Sequence, residues 1–368
     1  MRALFWAAFF LPLFTPLSVV LLGYWVWTQT PRQTLLSVAP ASLQLWVLCG
    51  VLLVVPALFS TSAPVLHLLG ACGRYGVPAL VWYFAVRHIR TLEARNTLIQ
   101  GLLWGAVALS VFAWGDLFVR SLWQLRSQGH LQGLRAQGPA MNANILGAFL
   151  VILWPLARWA YRERVMVLPL LLQWGVTGLW WGAILASGSR NAWLAAGVLW
   201  VYTLSTSRRT WRNYGLLGLG CGVLMVAFVS LERLLHWHSV QSGWLTGRLT
   251  VFRVGLDMWT AHPLTGMGIL SVERQYALWH NGWPQVAHLH NALLQVAVES
   301  GLPAALFLSV LCIHGIWRFW HGNRFQRAMA MSFTLLGCLS LGDHFLLDFR
   351  ILWVTTLGVA VTVACDSF

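Results

Sequence analysis

The chain has no lysine and few acids: 10 Asp and Glu stand against 24 basic residues, all of them arginine, in 368 positions. Charged residues make up 9% of it, where a water-soluble domain carries about a quarter. Too little charge is present to cover an aqueous surface, which excludes an ordinary soluble enzyme. The hydrophobic share of 58% excludes a disordered chain. Cysteine is also sparse. The six (Cys49, Cys72, Cys221, Cys312, Cys338, Cys365) lie in or beside apolar stretches, as small buried hydrophobes do, and form neither a disulfide framework nor a metal pattern. No internal repeat is visible, which counts against a transporter built from duplicated halves.

What remains is apolar and rich in tryptophan. The mean hydropathy is +0.67, and many of the 24 Trp residues sit at the ends of apolar runs, where amphipathic rings favour the membrane interface. The expectation is an all-α, polytopic integral membrane protein, a single transmembrane domain over 1–368. A helix crossing a bilayer needs about 20 apolar residues. On that measure spans are expected near 4–27, 43–60, 75–90, 98–119, 144–161, 166–186, 191–206, 214–231, 302–320, 328–346 and 350–365. The ambiguous stretch 61–74 makes the count eleven or twelve. The first span is longer than a secretory leader and is expected to be retained. The net charge of +14 would suggest nucleic acid in a soluble chain, but here the arginines lie in short loops, as topology requires, and nucleic-acid binding is not expected.

Arginine clusters orient the chain. Arg87/Arg90/Arg95, Arg158/Arg162/Arg164, Arg208/Arg209/Arg212 and Arg318/Arg324/Arg327 all fit on the cytoplasmic side together. That puts the 120–143 loop, the Arg190 turn and the long segment beginning at 232 on the opposite, external face. The long loop, placed at 232–290 with its continuation to 300, carries six of the twelve histidines and four arginines against four acids. Such a segment is biased towards anions. Leu249, Phe252, Leu256 and Trp259 recur at helical spacing there, before His262-Pro263 ends the run.

Three groups of residues stand out. At Ser187-Gly188-Ser189-Arg190-Asn191 an arginine occupies a tight turn between two spans, where it is either a topology marker or holds an anion. Around Thr246-Gly247-Arg248-Leu249, Arg253 and His262-Pro263-Leu264-Thr265-Gly266-Met267-Gly268, guanidinium groups suit phosphate, and the Gly-Met-Gly turn offers backbone N–H groups to an anion; lipid phosphates are the competing partner. In the third, His288-Leu289-His290-Asn291 precedes a helix on which Asn291, Gln295 and Glu299 form a polar stripe. His290 at that helix start is the candidate general base, with Asn291 or Glu299 to orient it. No metal site is expected from His280, His288 and His290, because no His-Glu-x-x-His helix and no carboxylate at ligand spacing accompanies them. Asp116 and the Asp343-His344/Asp348-Arg350 group read as solvated caps at span ends.

Taken in order, Ser189-Arg190, Arg248-Leu249-Thr250-Val251-Phe252 running on to Gly268, and His288-Leu289-His290-Asn291 running on to Glu299-Ser300-Gly301 resemble the signatures of the O-antigen ligase and polymerase superfamily. Asn142-Ala143-Asn144, before a span ending at Pro155, is similar to an upstream element of that family, so that the likeness covers roughly 139–301. The resemblance implies a GT-C-like glycosyltransferase of the bacterial inner membrane with its site facing the periplasm. The donor it implies is an undecaprenyl-pyrophosphate-linked glycan, and the acceptor in the ligase branch is the lipid A core. It implies Arg190 and Arg248 clamping the pyrophosphate, His290 as base, Arg253, Asn291, Glu299 and Asn144 as substrate-binding residues, and neither cofactor nor metal. The ligase pattern of His-[Asn/Ser/Gln], nine residues and Gly-x-x-[Gly/Thr/Tyr] is met by His290, Asn291 and Gly301; Ala304 departs from it, which leaves a polymerase as the alternative.

Overall fold

A computed structural model describes residues 1–10, 91–129, 134–140, 142–206, 244–279 and 288–343, with isolated positions besides. Every regular element among them is a helix: α1 (Arg2–Phe10), α2 (Leu92–Gln128), α3 (Ala143–Arg162), α4 (Leu170–Ala186), α5 (Arg190–Thr206), α6 (Trp244–Ala261), α7 (Ser271–Trp279), α8 (Ala292–Trp320) and α9 (Arg324–Gly342). The protein is an all-α membrane protein. Among the described residues α2, α3 and α8 are long and apolar enough to cross a bilayer, while α4 and α5 are 17 residues each. Side chains such as Leu171 on α4 and Leu194 on α5, 88% and 74% exposed, lack protein neighbours. Acyl chains are the solvent in which such surfaces are favourable. The spans expected at 43–60, 75–90, 214–231 and 350–365, the stretch 61–74 and most of 4–27 lie outside the described residues.

One boundary differs from expectation. Residues 120–128 are not loop, because α2 runs on to Gln128. The third helix keeps to the span expected at 144–161 and passes through Pro155 on its way to Arg162. The ring removes one backbone hydrogen bond, which a long, well-packed helix tolerates. Most of α3 is buried.

The described residues belong to two compact units: Arg2–Val20 with Thr97–Gly243, and Met1 with Leu21–Asn96 and Trp244–Phe368. In the first, α4 and α5 pack on α3. Gly147 on α3 lets the turn between α4 and α5 come close: a Cβ there would lie 2.7 Å from Ser187 Oγ and 2.8 Å from Ala192 Cβ. Small residues set such distances between membrane helices. Trp180 fills the seam and donates from Nε1 to the Leu150 carbonyl at 3.0 Å.

In the second unit α8 and α9 form a helical hairpin, with α6 and α7 packed on α8. The core joins Val251, Val254 and Met258 of α6 to Met267, Val272, Tyr276, Leu289 and Val298. The helix expected from the spacing of Leu249, Phe252, Leu256 and Trp259 is present. Leu249 and Leu256 are exposed, and Val251, Val254 and Met258 point inward. Spacing alone identified a helix with apolar residues on more than one side, and the packing of α8 chose the face.

The bend in α8 organises this unit. Gly301 sits at φ 84°, ψ 168° inside the helix, followed by Pro303. Pro303 has no N–H to give to the Glu299 carbonyl, which instead accepts from Gly268 at 3.0 Å. The Leu302 N–H turns to the Pro263 carbonyl at 2.8 Å, and the Val298 carbonyl accepts from Met267 at 2.7 Å. The bend thus exchanges intrahelical bonds for bonds to the 263–268 turn, and every partner is protein backbone.

Candidate active site

In the first unit the turn between α4 and α5 is built by its own small residues. Gly188 takes φ 59°, Ser187 Oγ accepts from the Ser189 N–H at 3.2 Å, and Ser189 Oγ accepts from Ala192 at 3.4 Å, capping α5. Arg190 opens α5 and is exposed. A second arginine, which the sequence did not single out, braces the turn: Arg135 donates from Nε to the Ser187 carbonyl at 2.8 Å and from Nη2 to Asn144 Oδ1 at 2.7 Å. Asn142 caps α3 by accepting from Asn144 N and Ile145 N. Asp116 is not a solvated cap. It pairs with Arg120 and accepts from the Gln137 and Gly138 N–H groups at 3.3 and 3.2 Å, while Arg120 also donates to the Arg135 carbonyl. The signal for Arg135 in the sequence was its place in a loop where the charge rule disfavours arginine.

In the second unit, the segment ahead of α8, the C-terminus of α9 and the first part of α6 converge. Asn291 is the N-cap of α8: its Oδ1 accepts from the Leu294 N–H at 2.9 Å, and its Nδ2 donates to the Leu341 carbonyl of α9 at 3.2 Å. Gln295 and Glu299 are buried. Gln295 Nε2 donates to Glu299 Oε1 at 3.1 Å and its Oε1 accepts from the Leu289 N–H at 3.2 Å, so the stripe holds the backbone of the segment 288–290. Gly255 lets α6 lie close to that segment, since a Cβ there would meet Leu289 Cδ1 at 2.9 Å.

The group facing the His290 imidazole is Asp343, the C-cap of α9, which is 2% exposed. Asp343 Oδ1 lies 3.1 Å from His290 Nδ1 and 3.7 Å from His288 Nε2. Its Oδ2 lies 3.9 Å from Arg248 Nη2, and Arg248 Nη1 donates to the Gly342 carbonyl at 2.6 Å. The two histidine rings meet edge to face with centroids 4.6 Å apart. His290 takes φ 54°, a left-handed conformation uncommon outside glycine and held where surroundings over-determine it. Burial lowers the Arg248 pKa, and the Asp343 charge pulls it back up; an arginine guanidinium keeps its proton in proteins.

Several expectations are revised by this geometry. Asp343 is a buried member of the cluster and not a solvated cap, because the end of α9 docks on Asn291 and Arg248. It is also the carboxylate that the histidines lacked at local spacing, supplied from 53 residues away. The Gly-Met-Gly N–H groups are spent on backbone: Gly266 donates to His262, Met267 to Val298 and Gly268 to Glu299. Arg253 and His262 are exposed, with Arg253 five residues along α6 from Arg248. The structure brings together Arg248, His288, His290 and Asn291 in one unit, and Asn144 with the Arg190 turn in the other. His280 lies outside the described residues.

Residues 175–309, from within α4 to within α8, match the family model described as O-antigen ligase. Over this stretch the chain is similar to the O-antigen ligase family, which supports the superfamily that the motifs resemble. No curated protein matches. The family match spans the Arg190 turn, Arg248 and His290, and it stops before Asp343. The match supports a glycosyltransferase-like membrane enzyme of O-antigen assembly.

Proposed function

We propose that the protein is an O-antigen ligase, which moves a glycan from undecaprenyl pyrophosphate onto the lipid A core oligosaccharide at the periplasmic face of the bacterial inner membrane. One observation carries the reading: within the family segment, an imidazole at the head of a membrane-length helix has its Nδ1 on a buried carboxylate, beside an arginine. A carboxylate only accepts, so Nδ1 donates and Nε2 keeps its lone pair. His290 Nε2 takes the proton of an acceptor hydroxyl as its oxygen attacks the anomeric carbon. The bond from that carbon to the diphosphate breaks on the opposite face, so the configuration inverts. Arg190 and Arg248 take the charge that develops on the leaving diphosphate, a role that guanidinium groups fill without a metal. Asn144, Asn291 and Glu299 then act by holding these segments in place.

Alanine at Arg190 or Arg248 is expected to lower transfer at least about 10²-fold with membrane expression intact. Near-normal transfer by both variants overturns the clamp. Ala304, buried on α8, departs from the ligase pattern and favours the alternative, an O-antigen polymerase. A lipopolysaccharide gel of a strain lacking the gene separates the two readings. Unsubstituted core with accumulated lipid-linked polymer supports the ligase, whereas core bearing a single repeat unit supports the polymerase.

A further inference from the structure

We propose that His288, His290 and Asp343 form a binding site for a zinc-class divalent cation, whose occupation switches off the His290 base; the switching part rests on the functional reading above. One nitrogen from each imidazole and one carboxylate oxygen lie within 4.8 Å of one another, the single such group among the described residues. The separations of 3.1 and 3.7 Å from the carboxylate oxygen to the two ring nitrogens bracket the about 3.3 Å between neighbouring ligands of a tetrahedral zinc with bonds near 2.0 Å. Three protein ligands leave a fourth position for water or an anion.

The surroundings select the metal. Arg248 stands 3.9 Å from the other carboxylate oxygen, and its charge penalises any ion held by electrostatics alone. Magnesium and calcium, which take oxygen ligands, are therefore disfavoured. Zinc, cobalt and nickel bond strongly to imidazole and tolerate the arginine. The two rings are also positioned independently of any ion, by the Gln295 bond to the Leu289 N–H and by the Asn291 cap.

Occupation changes the chemistry of His290 through its tautomer. With Nδ1 on Asp343, the ring proton is at Nδ1 and Nε2 is basic. A metal at Nδ1 needs that lone pair, so the proton moves to Nε2 and the ring has no site left to accept one from a hydroxyl. The proton count of the neutral ring does not change, and the base is lost. His288 is a ligand in this scheme and takes no part in transfer.

The test uses tag-free protein purified in detergent and titrated with Co²⁺, reading the visible d–d bands of a four-coordinate ion. The wild type is expected to develop the bands, and Zn²⁺ to abolish them. His288→Ala and His288→Gln are expected to weaken binding at least tenfold while keeping metal-free transfer. Zinc should inhibit wild-type transfer, with the midpoint at least tenfold higher in the His288 variants. Absent bands in the wild type, or equal binding by both variants when they elute as the wild type does, overturns the site. Metal-free transfer without bands leaves the ligase reading standing and removes the metal. Bands in protein that shows no transfer support the site and overturn the function it was proposed to block.

Discussion

Asp343 and His290 are separable by experiment, because one positions and the other reacts. Substituting His290 by Ala removes the acceptor of the proton, and transfer is expected to fall by about 10²–10⁴-fold. Asp343→Asn keeps the shape but lets an amide N–H face Nδ1, which favours the wrong tautomer. Its expected signature is a lower kcat, with the KM for donor little changed, in steady-state assays with purified lipid-linked glycan. A rise in KM alone would instead make the carboxylate a support for Arg248. His290 was legible in the sequence because a histidine just ahead of a helix with a polar stripe is unusual in an apolar chain. Asp343 was not, since its burial depends on the end of α9 meeting Asn291, a contact that no local pattern encodes.

At the scale of elements, the bend at Gly301 is what joins the 263–268 turn to α8. A Cβ at Gly301 would run into the Leu264 carbonyl, and its φ of 84° is strained for any L side chain. Gly301→Ala is therefore expected to destabilise the second unit by about 1–3 kcal/mol, seen as a lower midpoint of thermal unfolding in detergent and as lost transfer. Gly315 lies on the same helix with nothing within 4 Å of its added Cβ, and Gly315→Ala should leave both unchanged. Equal midpoints for the two variants would mean that the turn does not depend on the bend. The sequence displayed Gly266, Gly268, Gly301 and Pro303, but it did not show that they meet. The Gly-Met-Gly stretch read as an anion cradle because free N–H groups and N–H groups bonded to a distant helix look the same in one dimension.

Across the whole molecule, charge and hydropathy gave the class correctly. A chain with 24 arginines, 10 acids and no lysine leaves few ways to place its loops. Single cysteines at Gly129 and Arg274 are expected to react with an impermeant thiol reagent from the periplasm in a background free of native cysteines. Cysteines at Arg164 and Arg324 should react only after the inner membrane is opened. Labelling of all four from one side would overturn the orientation drawn from the arginine clusters. What hydropathy misplaced was an end. It cut α2 at 119 where the helix reaches Gln128, because a polar amphipathic extension lacks the apolar signal of a span. The spacing of Leu249 and Leu256 marked α6 as a helix without saying which of its faces is buried, and both side chains are exposed.

The separation between Asp343 and its partners has a consequence for biosynthesis. The carboxylate follows His290 by 53 residues and Arg248 reaches across 94 to Gly342. At about 5–20 residues per second on the ribosome, several seconds pass between synthesis of the base and synthesis of the group that orients it. Until α9 leaves the translocon, the nascent chain has an imidazole with no carboxylate against it and an arginine with no helix end to grip. Insertion of that late helix is therefore also the step that assembles the cluster.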